Sequence, residues 1–123
     1  MTEEQTTTIE ELNCFLTSLF VKSGRQEFRR AFIEHYPNFM YRLRNAVPEI
    51  TAGEEILCML IYLNQNSSDI AAILSICGKS VKQTRYRLRL KIGLSPQIPL
   101  ETFVHQLVSN NYAANKLKSQ LTL

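Results

Sequence analysis

The apolar run ILCMLIYL, from Ile56 to Leu63, constrains the fold of this chain more than any other feature. The predicted helix that contains it, from Ala52 to Leu63, carries apolar side chains on nearly every side. Because such a helix has to be covered by neighbours on more than one side, we expect it at the centre of the fold. The run is far shorter than the ~20 residues that a membrane-spanning helix requires. It therefore predicts the core of a helical domain with no membrane contact.

Apolar residues recur at helical spacing through most of the 123-residue chain, with no alternating strand pattern. Thr8 and Glu11 stand at the spacing of a capping box, which predicts the start of a first helix, and Gly24 is predicted to end it. A second helix is expected from about Arg25. Pro37 separates it from a third, because proline lacks the backbone N–H that a helix interior needs.

Four further helices are predicted in the second half of the chain. Thr51 and Glu54 form a second capping box, at the start of the central helix. Ser67 or Ser68 is expected to cap a short helix that ends at Leu74. The remaining two helices are predicted at 79–92 and 99–109. The predicted fold class is therefore all-α.

The charges of the chain are distributed unevenly. Of the fourteen Lys and Arg residues, six lie between Lys79 and Lys91 with no acid among them, whereas the acids fall mainly between Glu3 and Glu55. On a helix these cations stand three and four residues apart, where like charges cost stability. A solvated helix face usually mixes the two signs. The segment is thus predicted to keep its charge for a polyanion, and Gly93 is predicted to end its helix.

The predicted basic helix has an apolar side and a polar side. At about 100° per residue, Val81, Leu88 and Ile92 fall together and are expected to face the core. The outer side carries an amide and a phenol at its centre with cations around them, which suits the major groove of DNA. The side chains predicted to face the bases are Lys82, Gln83 and Tyr86. Those predicted to face the phosphates are Ser68, Lys79, Arg87, Arg89 and Lys91.

The helix that precedes the basic helix supports this interpretation. A short helix, a tight turn at 75–78 and the basic helix form the pattern of a helix-turn-helix. Ala71 supplies a small residue where two helices cross, and Ile76 is expected in the wedge between them. The residues predicted to hold the motif together are Ile70, Ala71, Leu74, Val81 and Leu88. Arg85, beside the apolar side, is expected to be partly shielded.

The cysteines and histidines of the chain give no sign of a metal site, a disulfide framework or an enzyme. Cys14, Cys58 and Cys77 are widely spaced with no CxxC pair, and only His35 and His105 accompany them. Cys58 and Cys77 lie among apolar residues and are expected to be buried free thiols. We therefore expect no cofactor, no metal and no enzymatic activity. A soluble protein of a reducing compartment, the cytoplasm, is predicted.

Residues 50–94, ITAGEEILCMLIYLNQNSSDIAAILSICGKSVKQTRYRLRLKIGL, resemble the four-helix DNA-binding domain of LuxR-type bacterial transcription regulators. The shared features are the Ile-Thr start with Glu54, SSDIA at the entry of the scaffold helix, and KSV opening a recognition helix that ends KIGL. RYRLR is typical of one branch of the family, as is YPNFMYRLR before the domain. The resemblance covers residues 37–108.

This resemblance implies a sequence-specific regulator that inserts helix 79–92 into the major groove of double-stranded DNA. Lys82, Gln83 and Tyr86 match base-facing positions of such regulators, and the last helix often supports dimerisation, so a homodimer is expected. The resemblance also implies Glu54 or Glu55 as the partner of Arg85. Leu90 departs from the pattern, since a cation is common there. With its polar ends, the chain is expected to comprise a disordered lead (1–7), an N-terminal region of two or three amphipathic helices (8–47), the LuxR-type domain (48–109) and a C-terminal tail (110–123).

Two alternatives remain open at this level. The helix-turn-helix module could bind a protein partner, such as RNA polymerase or a sensor, through its cations instead of DNA. The aromatic stripe of the N-terminal region could pack against the central helix or form a dimerisation surface. The stripe consists of Phe28, Phe32, Tyr36 and Phe39.

Overall fold

The computed structural model describes residues 2–108, with side chains from Ile9 onward, and it is all-helical over that range. The helices are α1 (Thr2–Ser23), α2 (Arg25–His35), α3 (Pro37–Ala46), α4 (Ala52–Tyr62), α5 (Ser67–Leu74), α6 (Gly78–Ile92) and α7 (Leu100–Gln106). The predicted fold class is confirmed at the level of an all-α protein. The predicted C-terminal tail, 110–123, lies outside the described residues.

Local capping chemistry sets the start of α4 as predicted. The Glu54 N–H donates to Thr51 Oγ1 at 3.1 Å, and the Thr51 N–H donates to Glu54 Oε1 at 2.9 Å. Gly24, at φ 92°, ends α1, and Pro37 opens α3 at the predicted break. Both residues lie where their backbone properties are needed, because a positive φ favours glycine and the first turn of a helix tolerates a missing N–H.

Two predicted helix starts are wrong. Helix α5 is capped by Asn66 rather than by Ser67 or Ser68: Asn66 Oδ1 accepts from the Asp69 N–H at 2.8 Å. Asp69 stands three residues after Asn66 and returns the bond, which completes a capping box one residue earlier than expected. Thr8 lies inside α1, which begins at Thr2 and so includes residues that were predicted as a disordered lead.

Helix α4 occupies the centre of the fold, as its apolar composition predicted. All the residues from Ile56 to Ile61 are buried. The aromatic stripe packs against this helix within the chain. The ring of Phe32 lies 5.1 Å from those of Tyr36 and Phe39 and 6.1 Å from that of Tyr62 on α4, between centroids. Of the two roles left open for the stripe, core packing is the one that the structure shows.

A buried carboxylate ties the N-terminal helices to α4. Glu55 is 4 % exposed, and its two oxygens accept from Arg29 Nη1 on α2 and Arg44 Nε on α3, each at 2.8 Å. Burial alone raises the pKa of Glu55, but the hydrogen bonds from the two guanidinium groups outweigh it and lower the pKa below its ordinary value. Residues 8–47 therefore share one core with the helices that follow, across the predicted domain boundary.

The surface of the fold differs from the prediction at Cys77. Cys58 is buried on α4, and burial raises the pKa of its thiol. Cys77 is exposed, because it occupies the N-cap position of α6 on the solvent side of the turn.

Helix α1 leaves apolar side chains in solvent: Ile9 is 56 % and Phe15 is 52 % exposed. Among the described residues, no helix is both long and apolar enough to cross a membrane.

Candidate nucleic-acid interface

Helices α5 and α6 are joined by a tight turn of three residues, 75–77. Ser75 ends α5 in the left-handed region, at φ 57° and ψ 43°, and the Ile76 N–H donates back to the Ala71 carbonyl at 3.0 Å. The left-handed residue reverses the chain immediately after the last turn of α5. As a result, α6 begins at Gly78 and packs directly against α5.

Apolar contacts hold α6 against the rest of the fold. Val81 and Leu88, on its inner side, are buried, as is Ile70 on α5, and Ala71 and Leu74 are partly buried against the same core. All five were predicted as the residues that hold the motif together. Ile76 is 41 % exposed and does not form part of the buried wedge, because the turn directs it to the surface.

The outer side of α6 gathers five exposed polar side chains around one shallow depression. These are Lys79, Lys82, Gln83, Tyr86 and Arg87. Tyr86 is 64 % exposed. None of the three cations has an ion-pair partner among the side chains described, residues 9–108. Their charges are therefore available to an anion that approaches the first three turns of α6.

The cations in the last turns of α6 are engaged inside the chain. Lys91 Nζ donates to Glu54 Oε1 at 2.8 Å and to the Glu49 carbonyl at 3.1 Å. Arg89 donates to the carbonyls of Ile98 and Ser95, each at 2.8 Å. Arg89 and Lys91 belong to the side chains predicted to face phosphates. The structure instead shows that they fasten the end of α6 to the start of α4 and to the following loop.

Glu54, the partner of Lys91, is 4 % exposed at the start of α4. Burial alone raises the pKa of its carboxyl, but the hydrogen bonds from Lys91 and from the Thr51 N–H lower it below the ordinary value. A carboxylate that already accepts several hydrogen bonds holds its cation in place. Lys91 would have to break this arrangement to reach a phosphate.

Arg85 pairs with Glu101 and not with Glu54 or Glu55, so the predicted partner is wrong. Its Nη2 lies 3.0 and 2.8 Å from the two Glu101 oxygens, and its side chain is 20 % exposed, as the predicted shielding required. Glu54 is occupied by Lys91, and Glu55 is held by arginines of α2 and α3. Arg85 therefore joins α6 to α7, an element that sequence spacing could not place beside it.

We expect Arg85→Ala to lower the melting temperature more than Arg87→Ala does. The first substitution removes a shielded ion pair worth about 1 kcal/mol, and the second removes an exposed cation with no described partner. Thermal unfolding followed by circular dichroism measures the difference, and Glu101→Gln should reproduce most of the Arg85 effect. Equal melting temperatures for the two arginine variants would contradict a structural role for Arg85.

The remaining predicted positions are at the surface. Ser68 is exposed in the first turn of α5, and Leu90 is 63 % exposed on the outer side of α6. His35 and His105 are both exposed. Within the described part of the chain, no three or more His, Cys, Asp or Glu side chains come together in a way that could hold a metal ion.

Comparison of the chain with protein-family models, with curated proteins and with solved structures found no significant match in any of the three.

Proposed function

We propose that this chain is a DNA-binding transcription regulator that inserts α6 into the major groove of double-stranded DNA. The observation that carries this proposal is the outer side of α6. There, the unpaired cations Lys79, Lys82 and Arg87 surround Gln83 and Tyr86 in one depression. Phosphates supply most of the affinity of a DNA-binding protein, and base edges supply the specificity. The arrangement provides side chains for both.

The position of these side chains along α6 supports the same proposal. In helix-turn-helix proteins the N-terminal part of the recognition helix contacts the bases. Here the unpaired cations lie between Lys79 and Arg87, whereas the last turns are fastened to α4 and to the loop after α6. The N-terminal part of α6 is thus the part that is free to enter a groove.

The geometry reduces the set of contacts that we propose. Lys82, Gln83 and Tyr86 remain the base-facing residues. Lys79, Arg87 and Ser68 remain the phosphate-facing residues, because all three are exposed. Arg89 and Lys91 are left out, since phosphate contact would break the bonds that hold the end of α6.

The proposal includes a LuxR-type regulator of the bacterial cytoplasm that acts as a homodimer and catalyses no reaction. Symmetric dimers of this kind bind two half-sites about one helical turn apart. The apolar residues of α7, including Phe103 and Val104, are buried within the chain, as is Leu107 immediately after the helix. We therefore place the dimer contact on α1, where Ile9 and Phe15 are exposed.

A selection from random duplex oligonucleotides, followed by affinity measurement on the selected sequence, tests the function. We expect Lys82→Ala and Tyr86→Ala each to weaken specific binding by about 1–3 kcal/mol without loss of stability. Gln83→Ala should relax the preference at one base pair, since Gln commonly reads adenine. Arg30→Ala, which removes an exposed cation from α2, is the control and should leave specific affinity unchanged.

The alternative partner gives a different result in the same experiment. A module that uses α6 to bind RNA polymerase or a sensor protein would select no sequence and would show no affinity for duplex DNA at low salt. Specific affinity that stays unchanged in both Lys82→Ala and Tyr86→Ala would also reject the placement of α6 in the groove.

A further inference from the structure

A second concave feature lies next to the depression on the outer side of α6. It is a cleft of about 300 Å³ between α4, α5 and α6, open towards the start of α2. Its apolar lining comprises Leu57, Ile70, Leu74, Ile76 and Val81. Of these, Leu74 and Ile76 have surface that is open to solvent, whereas the other three are buried beneath them. Ile76 is one of the few large apolar side chains that remain exposed on this part of the fold. An apolar group bound in the cleft would cover Ile76 and remove this exposure.

The polar edge of the cleft is positively charged. Arg25, Arg87 and Lys91 line it together with one acid, Glu54, so three cations against one carboxylate leave a net charge of +2. Lys91 and Glu54 neutralise each other through their 2.8 Å contact. Arg25 and Arg87 have no ion-pair partner among the described side chains. Two unpaired guanidinium groups therefore face an apolar recess.

We propose that this cleft binds a small organic anion with an apolar body, of the class of medium-chain carboxylates. Pockets for small ligands begin at about 300 Å³ and combine apolar walls with a few polar groups that fix orientation. The apolar tail lies against Leu74 and Ile76, the apolar lining residues that have exposed surface. The carboxylate lies at the edge, between Arg25 and Arg87, where a guanidinium group matches its geometry in two parallel hydrogen bonds.

Arg87 gives this site a consequence for DNA binding. It lines both the cleft and the depression on the outer side of α6. A carboxylate in the cleft competes with a DNA phosphate for the same guanidinium group, so the ligand lowers the affinity for DNA and DNA lowers the affinity for the ligand by the same factor. This coupling rests on the proposed function, whereas the site itself does not.

Titration of the ¹⁵N-labelled full chain with octanoate, in the absence of DNA, tests the site. We expect saturable amide shifts at Gly53, Leu57, Ile76 and Thr84, which surround the cleft, and no comparable shifts with octylammonium. Arg25→Gln should weaken octanoate binding at least about fivefold. Absence of saturable shifts, or equal shifts with octylammonium, would overturn the proposal.

Gly53 offers a variant that closes the cleft. It lines the cleft in the first turn of α4, and a Cβ added there meets no atom within 4 Å. Gly53→Leu should therefore fold and abolish octanoate binding, with Gly53→Ala as the matched control that keeps it. Octanoate binding that survives in a folded Gly53→Leu would place the ligand elsewhere and overturn the assignment.

The coupling is measured separately, as DNA affinity with and without octanoate. We expect octanoate to weaken DNA binding by the wild-type chain and to leave Gly53→Leu unaffected. Octanoate shifts in a chain that binds no DNA would refute the proposed function and leave the site standing. DNA binding that is indifferent to bound octanoate would refute the coupling through Arg87.

Discussion

Phe32→Ala is expected to lower the free energy of unfolding by about 3–5 kcal/mol. The Phe32 side chain is fully buried, and its ring lies within about 6 Å of four other aromatic rings, between centroids. Truncation removes the apolar transfer free energy and leaves a cavity among rings that belong to α2, α3 and α4. Urea denaturation, followed by circular dichroism, measures the loss.

Tyr41→Ala is the control, because this aromatic side chain is 71 % exposed on α3. Its effect on stability should remain below about 1 kcal/mol.

The denaturation curve of Phe32→Ala also tests whether the chain has one core. A single cooperative transition in Phe32→Ala, with α4–α7 lost together with α1–α3, is expected from the Glu55 bonds to Arg29 and Arg44. A variant that unfolds in two steps, the second resembling that of the wild type, would contradict a shared core.

Local chemistry explains which parts of this fold are predictable from sequence. The capping box of Thr51 and Glu54, the break at Pro37 and the left-handed cap at Gly93 each depend on a few adjacent residues. In the last of these, the Leu94 N–H donates to the Arg89 carbonyl at 3.1 Å, which is the reversal that a glycine cap permits. Such features depend on neighbouring residues and not on which elements pack together.

The prediction of ion-pair partners is wrong for Arg85, because the acid that pairs with it is set by tertiary contacts. Helical spacing places Arg85 beside the apolar side of α6 correctly, but it contains no information on which acid approaches. Glu101 reaches Arg85 because α7 packs on α4 next to α6, and Glu55 turns the other way to meet α2 and α3. Long-range pairs of this kind follow from packing and not from sequence spacing.

The same distinction divides the cations of α6 into two sets. The sequence contains six cations with no acid between them, and their spacing does not show which of them are paired in the fold. In the fold, Arg85 and Lys91 find carboxylates and Arg89 finds carbonyl oxygens on other elements. The repulsion within α6 is thus offset for half of its cations. The repulsion is not offset for Lys79, Lys82 and Arg87, and we therefore assign the proposed DNA contacts to these three cations.

The double substitution Lys79→Ala with Arg87→Ala is expected to make the salt dependence of DNA binding shallower. In a plot of log K against log salt concentration, the slope should change by about 2 units for each bound copy, because each phosphate contact contributes roughly 0.9. The relation extrapolates to a loss of about 60-fold in affinity at 0.1 M salt for each bound copy. Fluorescence anisotropy on the selected duplex, over a series of salt concentrations, measures both quantities.

The matched control is Arg89→Ala with Lys91→Ala, which removes the same two charges from the same helix. Because these side chains bind Ile98, Ser95, Glu49 and Glu54 within the chain, the control should lower the melting temperature and leave the salt slope unchanged, when measured well below that temperature. The first double variant should show the opposite, a shallower slope at nearly unchanged stability, since its cations have no described partner to lose. Equal changes of slope in the two double variants would show that DNA responds to the total charge of α6 and not to its unpaired cations.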